Sequence, residues 1–346
     1  MTRKTCKPCF IVYAILSWLT LAGCQKTEPL QIQDTRPLMG TAVEVAVEGT
    51  DAAQLKQGMD DAYLEMSRLS DMMNHYNPDS VVSAINHAAG KQSVSVPPEL
   101  MQVLKMAHAV SEGSHGAFDI TVGSLTGWRF NPEHPEMPTT AQITAQLPKV
   151  NYRDVMLDET AGTAFLRQSG MRIDLGGIAK LYILDAGMKV LGKHGIEHAM
   201  LNGGGDVEVM GTIQGHPWRV GIRDPRAPEK LLAVIELTRG FVVSSGDYER
   251  YFIKNDRRYH HILDPKTGYP TQGPHGVTLV AEELEQVNGL GAAIMVLGAA
   301  PGRELITQTP GLDGLIVDHD GSLWVSPGLV KRLRFLEQPN GTAQKP

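Results

Sequence analysis

Along this chain the spacing of apolar and polar positions changes period several times, and each change predicts an element. From Thr41 to Val47, Val43, Val45 and Val47 alternate with Glu44 and Ala46, the period of two expected of a half-buried strand. Asp51 then has the residue type of an N-cap. Leu55, Met59, Ala62, Met66, Leu69 and Met73 follow at spacings of three and four, which predicts a core-facing amphipathic helix whose methionines serve packing. Pro97-Pro98 opens a second helix, with Leu100, Val103, Leu104, Ala107 and Val110 inward and an end near Gly113. Asn131 to Pro138 reads as a surface connection, and short strands around Val155 and Phe165 lead into Ile173. A helix from about Ile178 to His194 carries Leu181, Leu184, Met188 and Leu191. The second half is rich in strands, around Met200, Val207 to Met210, Trp218 to Ile222, Leu231 to Leu237, Val242-Val243, Val277 to Val280 and Leu315 to Val317. One further helix is expected over Val287 to Leu297.

The N-terminus reads as an address. Arg3, Lys4 and Lys7 precede an apolar run from Phe10 to Leu21 that is too short to span a bilayer comfortably, and Leu21-Ala-Gly-Cys24 closes it with small residues before a Cys. This resembles the bacterial lipobox, which implies cleavage before Cys24 and acylation there. The expected organisation is therefore a signal peptide (1–23), an acylated tether (24–36), one domain (37–336) and a loose tail (337–346). The expected location is the bacterial cell envelope, lipid-anchored and facing the periplasm, on either the inner or the outer membrane. Cys6 and Cys9 have redox-motif spacing but fall in the discarded segment, so the mature chain is expected to hold no disulfide and no thiolate metal site. A formal net charge of −6, with no Lys/Arg run beyond the signal, argues against nucleic acid as a partner. The 36 glycines and 21 prolines imply many sharp turns, which suits a site assembled from loops.

Five segments carry candidate chemistry. In Tyr259 to Pro270, Asp264-Pro265 and Thr267-Gly268 are turn residues that would fix His261 at a strand end above a rigid loop, a place for proton transfer or for a plain structural imidazole. Asp174-Leu-Gly-Gly-Ile-Ala-Lys180 puts two glycines at a strand-to-helix junction, either as a packing device or as an anion site with Lys180 adding a point charge. The three glycines of Asn202 to Asp206 suggest a bulky group approaching the backbone more readily than a plain hairpin. Ser114 to Thr121 places Asp119 and Thr121 after a helix, and in His75 to Ser80 the Tyr76 ring reads as a buried structural aromatic or as a platform for a flat ring.

Together these segments resemble one family. Met39-Gly40-Thr41, Tyr76 through Asn86, Gly116 to Val122, Asp174 to Lys180, Asn202 to Asp206, Ser244 to Tyr248 and His261 to Pro270 match, in that order, the ApbE-type FAD:protein FMN transferases, over about Met39 to Gly298. The resemblance implies a single α+β fold with mixed or antiparallel sheets and flanking helices, binding FAD in a cleft. It implies a Mg²⁺-dependent reaction in which a Thr or Ser of an extracytoplasmic redox protein attacks the FMN-side phosphorus, releasing AMP. Met39, Tyr76, Ala117, Phe118, Asp119, Asp174, Lys180 and Leu263 match the family's FAD-contacting positions, and His261 matches the His beside the reacting phosphate.

The metal positions depart from the family. Its pattern is Asp-Ala-x-x-Thr, often with a second Asp before the Thr, whereas this chain reads Asn288-Gly-Leu-Gly-Ala292. Asn288, Gly291 and Ala292, with the Gly177 carbonyl, are all that remain at those positions, so weak Mg²⁺ affinity is expected. Leu181 stands where the family usually has Gly. An active transferase is the leading reading; the alternatives are an FAD-binding lipoprotein with a degraded Mg²⁺ site, or an FAD pyrophosphatase.

Overall fold

Met39 and Gly40 both take positive φ, 53° and 70°, and form a two-residue turn that folds Leu30–Leu38 (β1) onto Thr41–Gly49 (β2) with Leu38 opposite Thr41. Such turns match the right-handed twist of the strands they join. They start an eight-stranded, wholly antiparallel sheet that continues through His198–Gly203 (β3), Asp206–Met210 (β4), Arg239–Gly246 (β5), Gly276–Ala281 (β6), Asp313–Val317 (β7) and Leu323–Val325 (β8), each strand beside its predecessor. The coordinates are a computed structural model that describes residues 1–2 and 28–336, so the signal segment from residue 3, Cys24 and the tail 337–346 lie outside the described residues.

Two cores sandwich this sheet. On one face Val43, Val45, Val47, Leu201 and Leu279 meet the helices Ala52–Met73 (α1), Val81–Ala88 (α2), Pro98–Gly113 (α3), Ala179–Lys193 (α5) and Leu290–Leu297 (α6); the short helix α4 is Thr140–Gln146. On the other face Val207, Val209, Val242 and Val317 pack on Trp218, Val220, Ile222 and Ile235 of a three-stranded sheet. Burying both faces of one sheet is what gives so many strands an apolar inside. Asp51 caps α1 as its residue type predicts, accepting from the N–H groups of Ala53 (2.8 Å) and Gln54 (3.2 Å).

Several expectations need correction. The tether read over residues up to 36 is strand from Leu30 onward. β1 escapes notice because its only inward apolar anchors are Ile32 and Leu38, and its pairing relies on polar cross-strand contacts such as Gln31–Glu48 (3.0 Å). The helix read over Val287 to Leu297 begins at Leu290: a short 3₁₀ turn, Leu284–Gln286, closes at Val287, and Gly289, with φ 80°, stands at the helix N-cap. The Asn202 to Asp206 glycines form a hairpin turn. Gly203 pairs with Asp206 across a two-residue turn in which Gly204 and Gly205 have φ 70° and 102°, values an L side chain rarely adopts.

Candidate active site

Asp174 is the best-anchored polar group at the centre of the candidate site. The Asn86 side chain clamps the preceding residue, donating to the Ile173 carbonyl (3.1 Å) and accepting from the Ile173 N–H (2.7 Å), while the Asp174 N–H donates to the Ile120 carbonyl (2.8 Å). Its carboxylate accepts from the Gly176 N–H (2.8 Å) and faces His75 Nδ1 at 3.2 Å. Burial alone would raise its pKa, but the His75 contact, the Gly176 N–H and the charge of Arg250 outweigh burial and hold the carboxyl below its usual range. Gly176 and Gly177 then turn the chain into α5. Ile178 gives that helix no side-chain cap, so its positive end remains available to an anion. Lys180, in the first turn, forms an ion pair with Asp206 at 3.0 Å.

The hairpin Tyr251–Lys254 with Arg257–His260 delivers the second part of the site. His261 leaves its end as predicted, its N–H donating to the Arg250 carbonyl (3.0 Å). Below it the turn is closed by bonds from Gly268 N–H to Asp264 carbonyl (2.8 Å) and from Asp264 N–H to Tyr269 carbonyl (2.8 Å), and Leu263 pairs with Pro270. The two imidazoles differ in use. His260 is buried and spends Nε2 on the Thr271 carbonyl at 3.0 Å. His261 has an enclosed Nδ1 with no hydrogen-bond partner among the described residues. Desolvation, then the positive charges of Arg250, His260 and Lys180, push the His261 pKa down to about 3, so the ring is neutral at any physiological pH.

The remaining sequence candidates fall into different roles. Tyr76 is 80% exposed with its ring 3.9 Å from that of His75, so it is a surface platform and not a buried structural aromatic. Phe118 is buried against Gly177, where a Cβ would come within 3.1 Å of the ring, and Ala117 is buried beside it. The Asp119 carboxylate is consumed locally: it accepts from the Thr121 N–H (2.8 Å), the Thr121 hydroxyl (2.6 Å) and the Tyr152 N–H (2.8 Å). Met39 sits at the β1–β2 turn, and the neighbouring Thr41 hydroxyl lies where a Cβ on Gly204 would come within 2.5 Å, which joins this turn to the hairpin bearing Asp206.

Around the family's metal positions the residues offer little to a cation. Asn288 is 2% exposed and precedes α6, and its Nδ2 has no partner among the described residues. Gly291 is packed toward Ser245, and Ala292 packs on the core. Glu283 pairs with Arg239 at 2.9 Å on the surface, away from this set. No cluster of three or more His, Cys, Asp or Glu side chains able to hold a metal exists among the described residues. Gly177 is exposed at the mouth of α5. One residue escaped the sequence reading altogether: Arg250, whose charge bears on His261, Asp174 and Tyr76 alike. Only the pairing of its strand with His260 reveals its position, and a single sequence does not show that pairing.

Comparison with known proteins is consistent with this geometry. The sequence model of the ApbE family matches residues 39–316. A FAD:protein FMN transferase of Klebsiella pneumoniae (strain 342) is 32% identical over 307 residues, 88% of this chain and 94% of that protein. Another, from Treponema pallidum (strain Nichols), is 30% identical over 318 residues, 87% of this chain and 88% of that protein. Among solved structures, the ApbE protein of Thermotoga maritima superimposes with a TM-score of 0.80 at 33% identity, covering 88% of this chain and 100% of that one. The flavin transferase ApbE of Vibrio cholerae gives a TM-score of 0.76 at 26% identity, over 89% of this chain and 100% of that one.

Proposed function

The chain belongs to the ApbE family, and from that premise we propose that it transfers FMN from FAD to a Thr or Ser hydroxyl of an extracytoplasmic protein and releases AMP. One observation carries the assignment of the base: His261 is a neutral imidazole held at the end of a closed turn. In the reaction the acceptor oxygen bonds to the FMN-side phosphorus as the bond from that phosphorus to the bridging oxygen breaks. AMP leaves with the bridging oxygen, and the hydroxyl proton passes to His261. Lys180 and the uncapped start of α5 lie where anionic phosphate oxygens gain most from them. Tyr76 provides an exposed ring for stacking a flat heterocycle, beside Asp174 and His75.

The electrostatics of His261 make a pH prediction. A base must be unprotonated to act, and a pKa lowered to about 3 keeps the free protein competent far below the ordinary imidazole range. Because kcat/KM reports groups of the free enzyme, it should show no acid limb from His261 between pH 8 and about 5. An acid limb near the usual His value, lost in His261→Ala, would show that water reaches the ring. When the pyrophosphate enters, its negative charges offset Lys180 and Arg250, so the imidazolium becomes affordable only with substrate in place.

The residues at the family's metal positions do not fit Mg²⁺. Mg²⁺ takes hard oxygen ligands, usually one or two carboxylates with substrate phosphates and water, and here an amide, a glycine and an alanine occupy those places. Asn288 retains an amide oxygen but lacks the charge of the family's carboxylate. That substitution favours the second reading, a flavin-binding lipoprotein with little transfer. The lipobox Leu21-Ala-Gly-Cys24 supports an envelope-anchored protein whose acceptor is a subunit of an extracytoplasmic redox complex. The test is incubation of the protein with FAD and an acceptor carrying the family's Ser/Thr motif, followed by denaturing electrophoresis. A covalent fluorescent acceptor band is expected; FAD bound without any band would leave the flavin-binding reading.

A further inference from the structure

The misfit at the metal positions leaves the pyrophosphate of FAD without its expected counter-charge, and the structure holds an unassigned cation at the right place. Arg250 immediately precedes the strand Tyr251–Lys254, in which Tyr251 is paired with His260, so Arg250 stands directly opposite His261 and accepts its N–H at 3.0 Å. Residues directly opposed in an antiparallel pair share one face of the ribbon, with Cβ atoms about 5 Å apart. The Arg250 side chain is exposed, and no carboxylate among the described residues is paired with it. Arg258 of the same hairpin is engaged with Asp247 at 2.6 Å. Lys180 is held by Asp206.

We infer that Arg250, acting with Lys180, binds the pyrophosphate of FAD in place of a divalent cation, so that this chain holds its flavin substrate without metal. The guanidinium offers a planar fork of N–H donors that fits phosphate oxygens two at a time, and it stays charged at every relevant pH. The Arg250 guanidinium, with the Lys180 ammonium that is shared with Asp206, would set positive charge against the pyrophosphate where the family pattern has a divalent cation. The same pair accounts for the two strongest non-histidine charges acting on His261. The inference rests on the transferase reading for its substrate, but not on turnover.

Binding decides it separately from catalysis. FAD is titrated into the purified protein by flavin fluorescence, in EDTA and in Mg²⁺, for the native chain, Arg250→Gln and Arg250→Lys. The native affinity should be the same in EDTA as in Mg²⁺. Arg250→Gln should weaken it about tenfold to a hundredfold in both, the loss expected of a charged hydrogen bond. Arg250→Lys should keep part of the affinity, and the salt dependence of binding should fall in Arg250→Gln. Because Arg250 is exposed and opposes His261 only through its main chain, the fold should be unaffected, which a thermal melt checks. Loss of FAD binding in EDTA, or unchanged affinity in Arg250→Gln, would overturn the inference. Absence of FMN transfer in every condition would instead remove the transferase reading and leave the binding result to stand or fall by itself.

Discussion

His261→Ala should lower FMN transfer by about a hundredfold to ten-thousandfold while leaving FAD affinity nearly unchanged, the signature of a lost general base. Single-turnover transfer and a flavin binding titration read the two quantities separately. The expectation rests on the contrast between adjacent imidazoles. His260 is tied to the Thr271 carbonyl and is part of the turn's framework, so His260→Ala should cost stability. His261 has an enclosed nitrogen that nothing in the described fold uses, on a backbone fixed by the Asp264 to Tyr269 bonds. If His261→Ala transferred FMN at the native rate, the base would have to be sought elsewhere. If affinity fell as steeply as rate, His261 would be a binding group.

The largest stability effect is expected from Gly273→Ala. A Cβ at this position would stand 1.9 Å from the Met295 carbonyl oxygen, a backbone atom in the second half of α6 that cannot swing aside. The same carbonyl accepts the Thr271 hydroxyl at 3.0 Å, and the Thr271 carbonyl holds His260. The clash must therefore move either α6 or the strand leaving the His261 turn. Overpacking of this kind costs about 3 kcal/mol. Displacement of the turn should also lower transfer by about tenfold to a hundredfold. Gly192→Ala is the control: it lies in α5, takes no positive φ and has nothing within 4 Å of the added methyl. Helix propensity predicts that it is neutral or stabilising by about 0.5–1 kcal/mol. Denaturation midpoints of the two variants check the pair, and Gly273→Ala behaving like Gly192→Ala would contradict the packing described between the turn and α6.

Periodicity made much of this fold legible. α1, α3 and α5 have apolar residues at three and four with a cap, a Pro-Pro start and a Gly-Gly junction to mark their ends, and each appears close to where those signals put it. What stayed hidden depended on partners. β1 has too few apolar positions to announce a strand and is recognisable only beside β2. The hairpin that places Arg250 opposite His261 reads as loop because Lys254 to Arg258 is polar throughout. The Asn202 to Asp206 glycines looked like a ligand cradle, yet the φ values of Gly204 and Gly205 meet the needs of a tight turn. Asp119 reads as a ligand contact, and its carboxylate also organises the Thr121 and Tyr152 N–H groups. In both cases the residue type signalled a demanding backbone, and the sequence left open whether the demand came from a ligand or from the chain itself.

In the proposed mechanism a neutral His261 takes the proton of a protein hydroxyl that attacks FAD beside Lys180 and Arg250. The most direct test follows both products of one incubation with FAD and acceptor protein, measuring AMP by chromatography and flavin on the acceptor by intact mass. The account predicts that AMP and acceptor-bound FMN appear in equal amounts and that both vanish in His261→Ala. AMP accompanied by free FMN, with the acceptor's mass unchanged, would contradict it and make the chain a pyrophosphatase.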